Sequence, residues 1–262
     1  MISSIDFGIT GRTAFVCGSS AGLGRACAEA LLAAGAHVVL NGRDADRLAQ
    51  VAAQLGIQFA GRVAFLAGDV STAEGRDLIL REYPALDILV NNSDGPPTGN
   101  FEDFDEAVWA QALDRSMIAP IMMMRAVIKP MMAARWGRII NITSSTVRAP
   151  LPMLGLSNGA RNGLTGFVAG LAREVAEQGV TINNLLPGRF ETERLQSWID
   201  ALATDGGVTP AEMTATLVQS NPMKRFGKPA ELGAFCAFLA SEQASYITGQ
   251  NILIDGGEFP GI

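Results

Sequence analysis

The chain has 262 residues, with 48% hydrophobic and 18% charged side chains. That balance fits a globular protein with a large buried core and excludes a disordered chain. The net charge of -6 argues against a nucleic-acid or anionic-membrane surface, which calls for clustered Lys and Arg.

Short apolar runs alternate with longer amphipathic stretches. The runs are TAFVC (13–17), HVVLN (37–41), RVAFL (62–66), LDILVN (86–91), GRIINIT (137–143), VTINNLL (180–186) and NILID (251–255). They are rich in Val, Ile and Leu without strict alternation, which predicts strands covered on both faces. Between them, GLGRACAEALLAAG and DADRLAQVAAQLG are predicted helices ending at Gly35 and Gly56, each glycine acting as a C-terminal cap. Two long apolar helices are predicted at about 105–134 and 153–178, the first carrying Met122, Met123, Met124, Met131 and Met132 at packing positions. Alternation of strand and helix implies right-handed crossovers. The expected fold is α/β: one Rossmann-type domain over residues 1–262, a doubly wound parallel sheet of about seven strands with helices on both faces. In such sheets the ligand sits beyond the carboxyl ends of the strands.

No apolar run reaches the roughly 18 residues of a membrane span. MISSIDFGIT lacks the basic-then-apolar start of a secretory signal. Cys17, Cys27 and Cys236 have no metal-ligand spacing, so no metal is expected. A sparse, odd count fits reduced thiols and a cytoplasmic location.

Between the first strand and first helix stands Gly18-Ser19-Ser20-Ala21-Gly22-Leu23-Gly24. Its glycines permit a tight turn and close backbone approach to a diphosphate, and the helix start offers free N–H groups to it. Ser20 can add a hydroxyl contact. The position within a strand–turn–helix unit is the context that gives such a pattern meaning.

This Gly-x-x-x-Gly-x-Gly spacing resembles the short-chain dehydrogenase/reductase family, and the resemblance runs over about residues 10–257. Asp69-Val70 matches its adenine-pocket motif. Asn91-Asn92-Ser93-Asp94 stands where the family has Asn-Asn-Ala-Gly. Pro187-Gly188, with Phe190 and Thr192 beyond, matches the loop over the nicotinamide. Tyr246-Ile247-Thr248-Gly249-Gln250 and Ile254-Asp255-Gly256-Gly257 match the C-terminal signature. The resemblance implies a nicotinamide cofactor bound by Gly18, Ser20, Gly22, Leu23, Gly24, Asp69, Val70, Asn91, Pro187, Gly188, Phe190 and Thr192. It also implies a lid within residues 191–226.

A carboxylate after strand two holds the ribose hydroxyls of NAD in many such proteins. Here Gly42 falls at that position and Arg43 follows it, which favours NADP(H) over NAD(H) because a guanidinium bonds phosphate strongly. Asp44 is open to two roles, a helix cap or a displaced ribose carboxylate.

The family's catalytic Ser aligns with Ser144. Thirteen residues later, where the family has Tyr, stands Ser157; four further on, in place of Lys, stands Arg161. The family's relay Asn is replaced by Ser116. A serine is a far weaker acid than a phenol, and an arginine stays charged, so neither replaces the lost proton donor. Arg161 can still bind ribose hydroxyls and stabilise an oxyanion. Asp94, if buried, can act as an acid. Arg148 or Arg189 can meet an anionic substrate group.

Two functions fit. One is an NADP(H)-dependent oxidoreductase of a small carbonyl/alcohol substrate, similar to 3-oxoacyl-carrier-protein reductases, using Ser144, Ser157 and Arg161. The other is a catalytically silent NADP(H)-binding protein, a sensor or scaffold. A homotetramer, or at least a homodimer, is expected, since the family pairs its two long helices across subunits.

Overall fold

The computed structural model describes residues 6–261. Among these, one parallel sheet holds seven strands in the order β3-β2-β1-β4-β5-β6-β7. They are β1 (Thr13–Val16), β2 (His37–Gly42), β3 (Val63–Ala67), β4 (Ile88–Asn91), β5 (Gly137–Ile142), β6 (Val180–Pro187) and β7 (Asn251–Ile254). The helices are α1 (Gly22–Ala33), α2 (Ala45–Gln58), α3 (Ala73–Glu82), α4 (Glu106–Leu113), α5 (Ala119–Ala134), α6 (Gly155–Val175), α7 (Glu193–Gly206), α8 (Pro210–Ser220) and α9 (Pro229–Ala240). All seven predicted runs are strands, and the strand order reverses between β1 and β4, where a ligand crevice is expected.

Strand pleating divides the apolar side chains between two cores. Ala14, Val16, Val38, Leu40, Ile88 and Val90 pack with Leu31 and Leu32 of α1, Leu48 of α2 and Leu232 and Cys236 of α9. Phe15, Cys17, Val39, Leu89 and Ile139 face the other way, onto Ile79 of α3, Met123, Met124 and Met131 of α5 and Leu164 and Val168 of α6. The methionines are therefore core packing. Both faces of the sheet are covered, which is why its strands carry unbroken apolar runs.

Two expectations need correction. The helix predicted to stop at Gly56 runs on to Gln58. Gly56 has open space around it and no positive φ, whereas the chain turns at Gly61, φ +75°. Phe59 is buried, and its N–H bonds the Leu55 carbonyl, so packing one turn further on sets the end. At α1, by contrast, Gly35 adopts φ +99° just past the C-cap, as predicted. The second concerns the expectation that no stretch is long and apolar enough for a membrane span. Glu106–Ala134 is a continuous helical stretch of 29 residues, long and apolar enough by composition to cross a membrane. It lies against the sheet through Met123, Met124, Val127 and Met131, and exposes Arg125 and Lys129. Asp114–Ile118, between α4 and α5, winds as one π-turn.

A feature absent from the expectations runs across the sheet. Asn91 of β4 donates to Asn141 of β5 at 2.8 Å, Asn141 to Asn184 of β6 at 2.9 Å, and Asn184 to Asn251 of β7 at 2.7 Å. Each pair is directly in register. On the other half of the sheet, Asn41 of β2 donates to the Leu66 and Gly68 carbonyls at the end of β3. The Asn41 N–H donates to Ser19 Oγ, just past β1, at 2.9 Å. Asn141→Leu would leave buried amide groups of Asn91 and Asn184 without partners. At about 1–3 kcal/mol per orphaned group, the unfolding free energy should fall by roughly 2–6 kcal/mol, read as a lower urea midpoint at unchanged slope. A loss under about 1 kcal/mol would mean that the ladder is not holding the strands.

Candidate active site

Beyond the carboxyl ends of the strands lies a cleft of about 950 Å³. Its first wall is the glycine turn. Gly18 and Gly22 have φ of +56° and +55°, a region that L side chains rarely adopt. A methyl at Gly24 would strike the Gly18 carbonyl, so the glycine lets α1 start directly against the end of β1. Gly24 itself does not line the cleft; Gly18, Ser20, Gly22 and Leu23 do. Ala21 at the N-cap of α1 supplies no side-chain cap, and no acidic residue sits in the first turn. The first N–H groups of α1 are therefore left for an anion.

One end of the cleft is built from the turns after β2 and β3. Asp44 caps α2, its Oδ1 accepting the Arg47 N–H at 3.0 Å. The cap bond uses Oδ1 alone, and Asp44 also lines the cleft. Asp69 Oδ1 accepts from the Ser71 N–H at 2.9 Å and hydroxyl at 2.7 Å. Burial works against the Asp69 charge, but the Ser71 bonds, with Arg43 and Arg115 beyond, hold its carboxyl below the usual range. Val70 lines the cleft beside it. Arg43 reaches across to Asp94, Nη2 to Oδ2 at 3.2 Å.

The structure turns Asn91 away from the cleft. Its amide belongs to the buried ladder, and its Oδ1 faces Cys17 Sγ at 3.9 Å. Asn92 lines the cleft instead and donates to the Gly18 carbonyl at 3.1 Å. On the far side, Pro187, Gly188, Phe190 and Thr192 all line it. Gly188 fits where a Cβ would press on Asp255, and Thr192 caps α7 through its hydroxyl.

Ser144, Ser157 and Arg161 come together at the other end. Ser144 Oγ, at the end of β5, accepts from the Thr146 N–H at 3.2 Å and the Thr146 hydroxyl at 3.0 Å. With both contacts accepting, its own proton is left to donate into the cleft. Ser157 and Arg161 lie one turn apart on α6. Arg161 Nε donates to Ser157 Oγ at 3.2 Å, and Nη1 donates to the Ile142 and Thr143 carbonyls at 3.0 and 2.8 Å. The guanidinium is thus clamped to the end of β5, with Nη2 outside these bonds. It is 7% exposed. Burial, and then the nearby Arg194, push its pKa down to about 10.

Ser116 sits in the π-turn, fully enclosed, with no partner for its hydroxyl among the described residues. It does not line the cleft, although its neighbour Arg115 does. Asp94 is exposed over 80% of its side chain, so burial does not make it an acid. Arg189 pairs with Glu258 at 2.6 Å and lies over the Trp198 ring. Arg148 is exposed outside the cleft. Among the described residues no His, Cys, Tyr or Lys lines the cleft.

The family profile described as "Enoyl-(Acyl carrier protein) reductase" matches residues 18–258. The 3-oxoacyl-[acyl-carrier-protein] reductase of Vibrio cholerae is 33% identical over 257 residues, covering 96% of this chain and 98% of the relative. The D-beta-hydroxybutyrate dehydrogenase of Rhizobium meliloti is 31% identical over 252 residues, covering 94% and 98%. The crystal structure of L-sorbose reductase from Gluconobacter frateurii, complexed with NADPH and L-sorbose, superposes with a TM-score of 0.93 at 32% identity, covering 98% of this chain and all of that one. The chain belongs to the short-chain dehydrogenase/reductase family and is an oxidoreductase of that family.

The ionisable groups in the cleft are carboxylates and guanidiniums. Carboxylates ordinarily titrate near pH 4 and guanidiniums above about 12. Arg161, lowered to about 10, keeps its charge at neutral pH and loses it only as pH rises through that value. Turnover should therefore be flat between about pH 7 and 9. A tenfold change in kcat per pH unit in that range would reveal an acid or base outside this set.

Proposed function

We propose that the protein is an NADP(H)-dependent reductase or dehydrogenase of a carbonyl/alcohol substrate, similar to the 3-oxoacyl reductases, in which a fixed guanidinium does the electrostatic work. The observation that carries this reading is the buried Arg161, clamped by two carbonyls and Ser157 with Nη2 still available. Hydride chemistry belongs to the nicotinamide when it is bound. The uncapped start of α1 holds the diphosphate, and Arg43 takes the ribose 2′-phosphate. Asp69 and Val70 border the adenine. Pro187, Gly188, Phe190 and Thr192 close over the nicotinamide. Arg161 Nη2 would bond ribose hydroxyls of the bound dinucleotide, and its charge would stabilise negative charge developing on the substrate oxygen. Ser144 donates to the substrate oxygen. With no phenol or ammonium in the cleft, the proton comes from water held between Ser144 and Ser157.

Residues 191–226 serve as the lid, since Arg194, Leu195, Ser197, Trp198 and Ala201 of α7 face the cleft. The expected cytoplasmic location is kept as part of this reading. The second reading, a silent NADP(H)-binding protein, is favoured by the same lack of a side-chain acid. It is separated from the first by turnover alone.

Titration with NADPH and NADH, followed by NADPH oxidation with a panel of 3-oxoacyl thioesters, ketones and quinones, tests the proposal. NADPH should bind more tightly than NADH. Arg161→Ala should weaken NADPH binding by about tenfold, the worth of a charged hydrogen bond. Ser157→Ala should leave binding intact and lower turnover by less than tenfold, well short of the 10²–10⁴ typical of losing a general acid. Abolished turnover in Ser157→Ala would overturn the water route. NADPH binding with no turnover across the panel would favour the silent reading.

We further propose a homotetramer, or at least a homodimer, through α4, α5 and α6. Phe167 is 40% exposed on α6, next to Gly166 and near Gly170. Neither glycine has anything within 4 Å of an added Cβ. Glycine inside a helix costs roughly 0.5–1 kcal/mol relative to Ala, and close packing of a second helix is a reason to keep it. Light scattering at micromolar concentration should give a multiple of 27.6 kDa, and a monomer would remove the proposal.

A further inference from the structure

The two walls of the cleft are joined across its mouth. Arg43 meets Asp94 at 3.2 Å, with 58% and 80% of the two side chains exposed. Arg47 Nη2 meets both oxygens of Glu193, at the start of α7, at 3.2 and 3.0 Å. Arg194 donates to the Gly95 carbonyl at 3.2 Å. The first contact bears on cofactor choice. The other two carboxylates at that end each have one oxygen in a local bond, Asp44 Oδ1 capping α2 and Asp69 Oδ1 accepting from Ser71, and neither is within ion-pair distance of Arg43. Asp94 has no recorded partner other than Arg43 among the described residues. The segment that carries it continues as Gly95-Pro96-Pro97, and the two fixed proline φ angles limit how far its backbone can move aside.

We propose that Asp94 is a cofactor-selectivity residue acting from the wall opposite Arg43. It holds the guanidinium and faces the 2′ position of the adenosine ribose, disfavouring a 2′-phosphate and tolerating a 2′-hydroxyl. The proposal rests on the reading of Arg43 as the 2′-phosphate ligand. A phosphate arriving at Arg43 must displace the Asp94 carboxylate, and it then lies beside that carboxylate as a like charge. A ribose with a free 2′-hydroxyl leaves the Arg43–Asp94 pair in place and gives the carboxylate a donor to accept from. Arg43 thus selects for phosphate while Asp94 reduces the selection, and the cleft uses both dinucleotides more evenly than Arg43 alone dictates.

The test is titration of the full-length protein with NADPH and NADH by calorimetry, for the wild type, Asp94→Asn and Arg43→Leu. Exposed ion pairs are worth a factor of about two to five, and the relief of like-charge repulsion adds to it. Asp94→Asn should tighten NADPH about three- to tenfold, leave NADH within about twofold, and lose most of this difference in high salt. Asp94 is an exposed loop residue, so the variant should fold as the wild type does. An unchanged ratio of the two affinities, or an equal change in both, would overturn the proposal. Arg43→Leu separates the two possible failures. If it leaves NADPH binding unchanged, Arg43 is not the phosphate ligand and the cofactor reading falls. If it weakens NADPH while Asp94→Asn does not shift the ratio, the role of Asp94 alone falls.

Discussion

The geometry of the cleft depends on the level at which neighbouring strands end, and a row of buried asparagine amides fixes that level. In a parallel sheet covered on both faces, Val, Ile and Leu pack almost equally well in several registers. A planar amide does not. Asn91, Asn141 and Asn184 each offer Nδ2 to the Oδ1 of the Asn on the next strand, so the bonds run in one direction from Asn91 to Asn251. A slip at any strand sets an unpaired amide against hydrocarbon, at a cost of roughly 1–3 kcal/mol for each lost group. A slip by a single residue also reverses every side chain on that strand.

The row stands just below the residues of the site. Asn92 follows Asn91, Ser144 lies three residues past Asn141, Gly188 four past Asn184, and Asp255 four past Asn251. Fixing the amides therefore fixes Asn92 under the Gly18 carbonyl, the Thr143 carbonyl under Arg161, and Gly188 against Asp255. On the other side of the switch point, Ser19 and Asn41 do the same for β1, β2 and β3. The cleft can be lined by loops and still be stiff, because every loop leaves from a strand end that is pinned one to four residues earlier.

Much of this was legible in the sequence. Alternating apolar runs placed all seven strands, because burial on both faces leaves a plain signature. Gly18, Gly22 and Gly24 marked the turn, because only glycine satisfies the φ angles and the approach of α1. The pairing of Ser157 with Arg161 followed from helical spacing on α6, and Ser144 was assigned through the family resemblance. What the sequence hid were contacts made across the fold. Asn91 reads as a cofactor ligand until its strand neighbours are known. The repeated Asn near the ends of HVVLN, LDILVN, GRIINIT and VTINNLL was a visible signal, since amides are rare inside buried strands. The Arg43–Asp94 contact joins residues 51 positions apart, and no local pattern announces it. The end of α2 was missed for the same reason, since burial of Phe59 outweighs the local preference of Gly56.

A buried guanidinium stands at each end of strand β5, and the two differ in how their charge is met. At the amino end, Arg138 bonds the Gly137, Gly179 and Ser241 carbonyls, stacks on Trp136, and has Glu242 at 3.7 Å. Its charge is met within the protein. At the carboxyl end, Arg161 has carbonyls and a serine, no carboxylate within ion-pair distance among the described residues, and a second cation, Arg194, near enough to lower its pKa. A buried cation without a counter-charge is costly, and in a packed core it would be replaced by an apolar side chain. Held at the head of a cleft it has another use. It creates a fixed positive potential where water is partly excluded, with a geometry set by two strand carbonyls before any ligand arrives. Such a group stabilises negative charge as that charge forms, without first having to reorient. A lysine at the same position would swing on a flexible stem, whereas the planar fork of Arg161 is tied down by three bonds. In the role proposed for it, Arg161 is thus a more rigid electrostatic element than a flexible ammonium would be. That rigidity is the physical ground for reading the site as altered in chemistry and not erased.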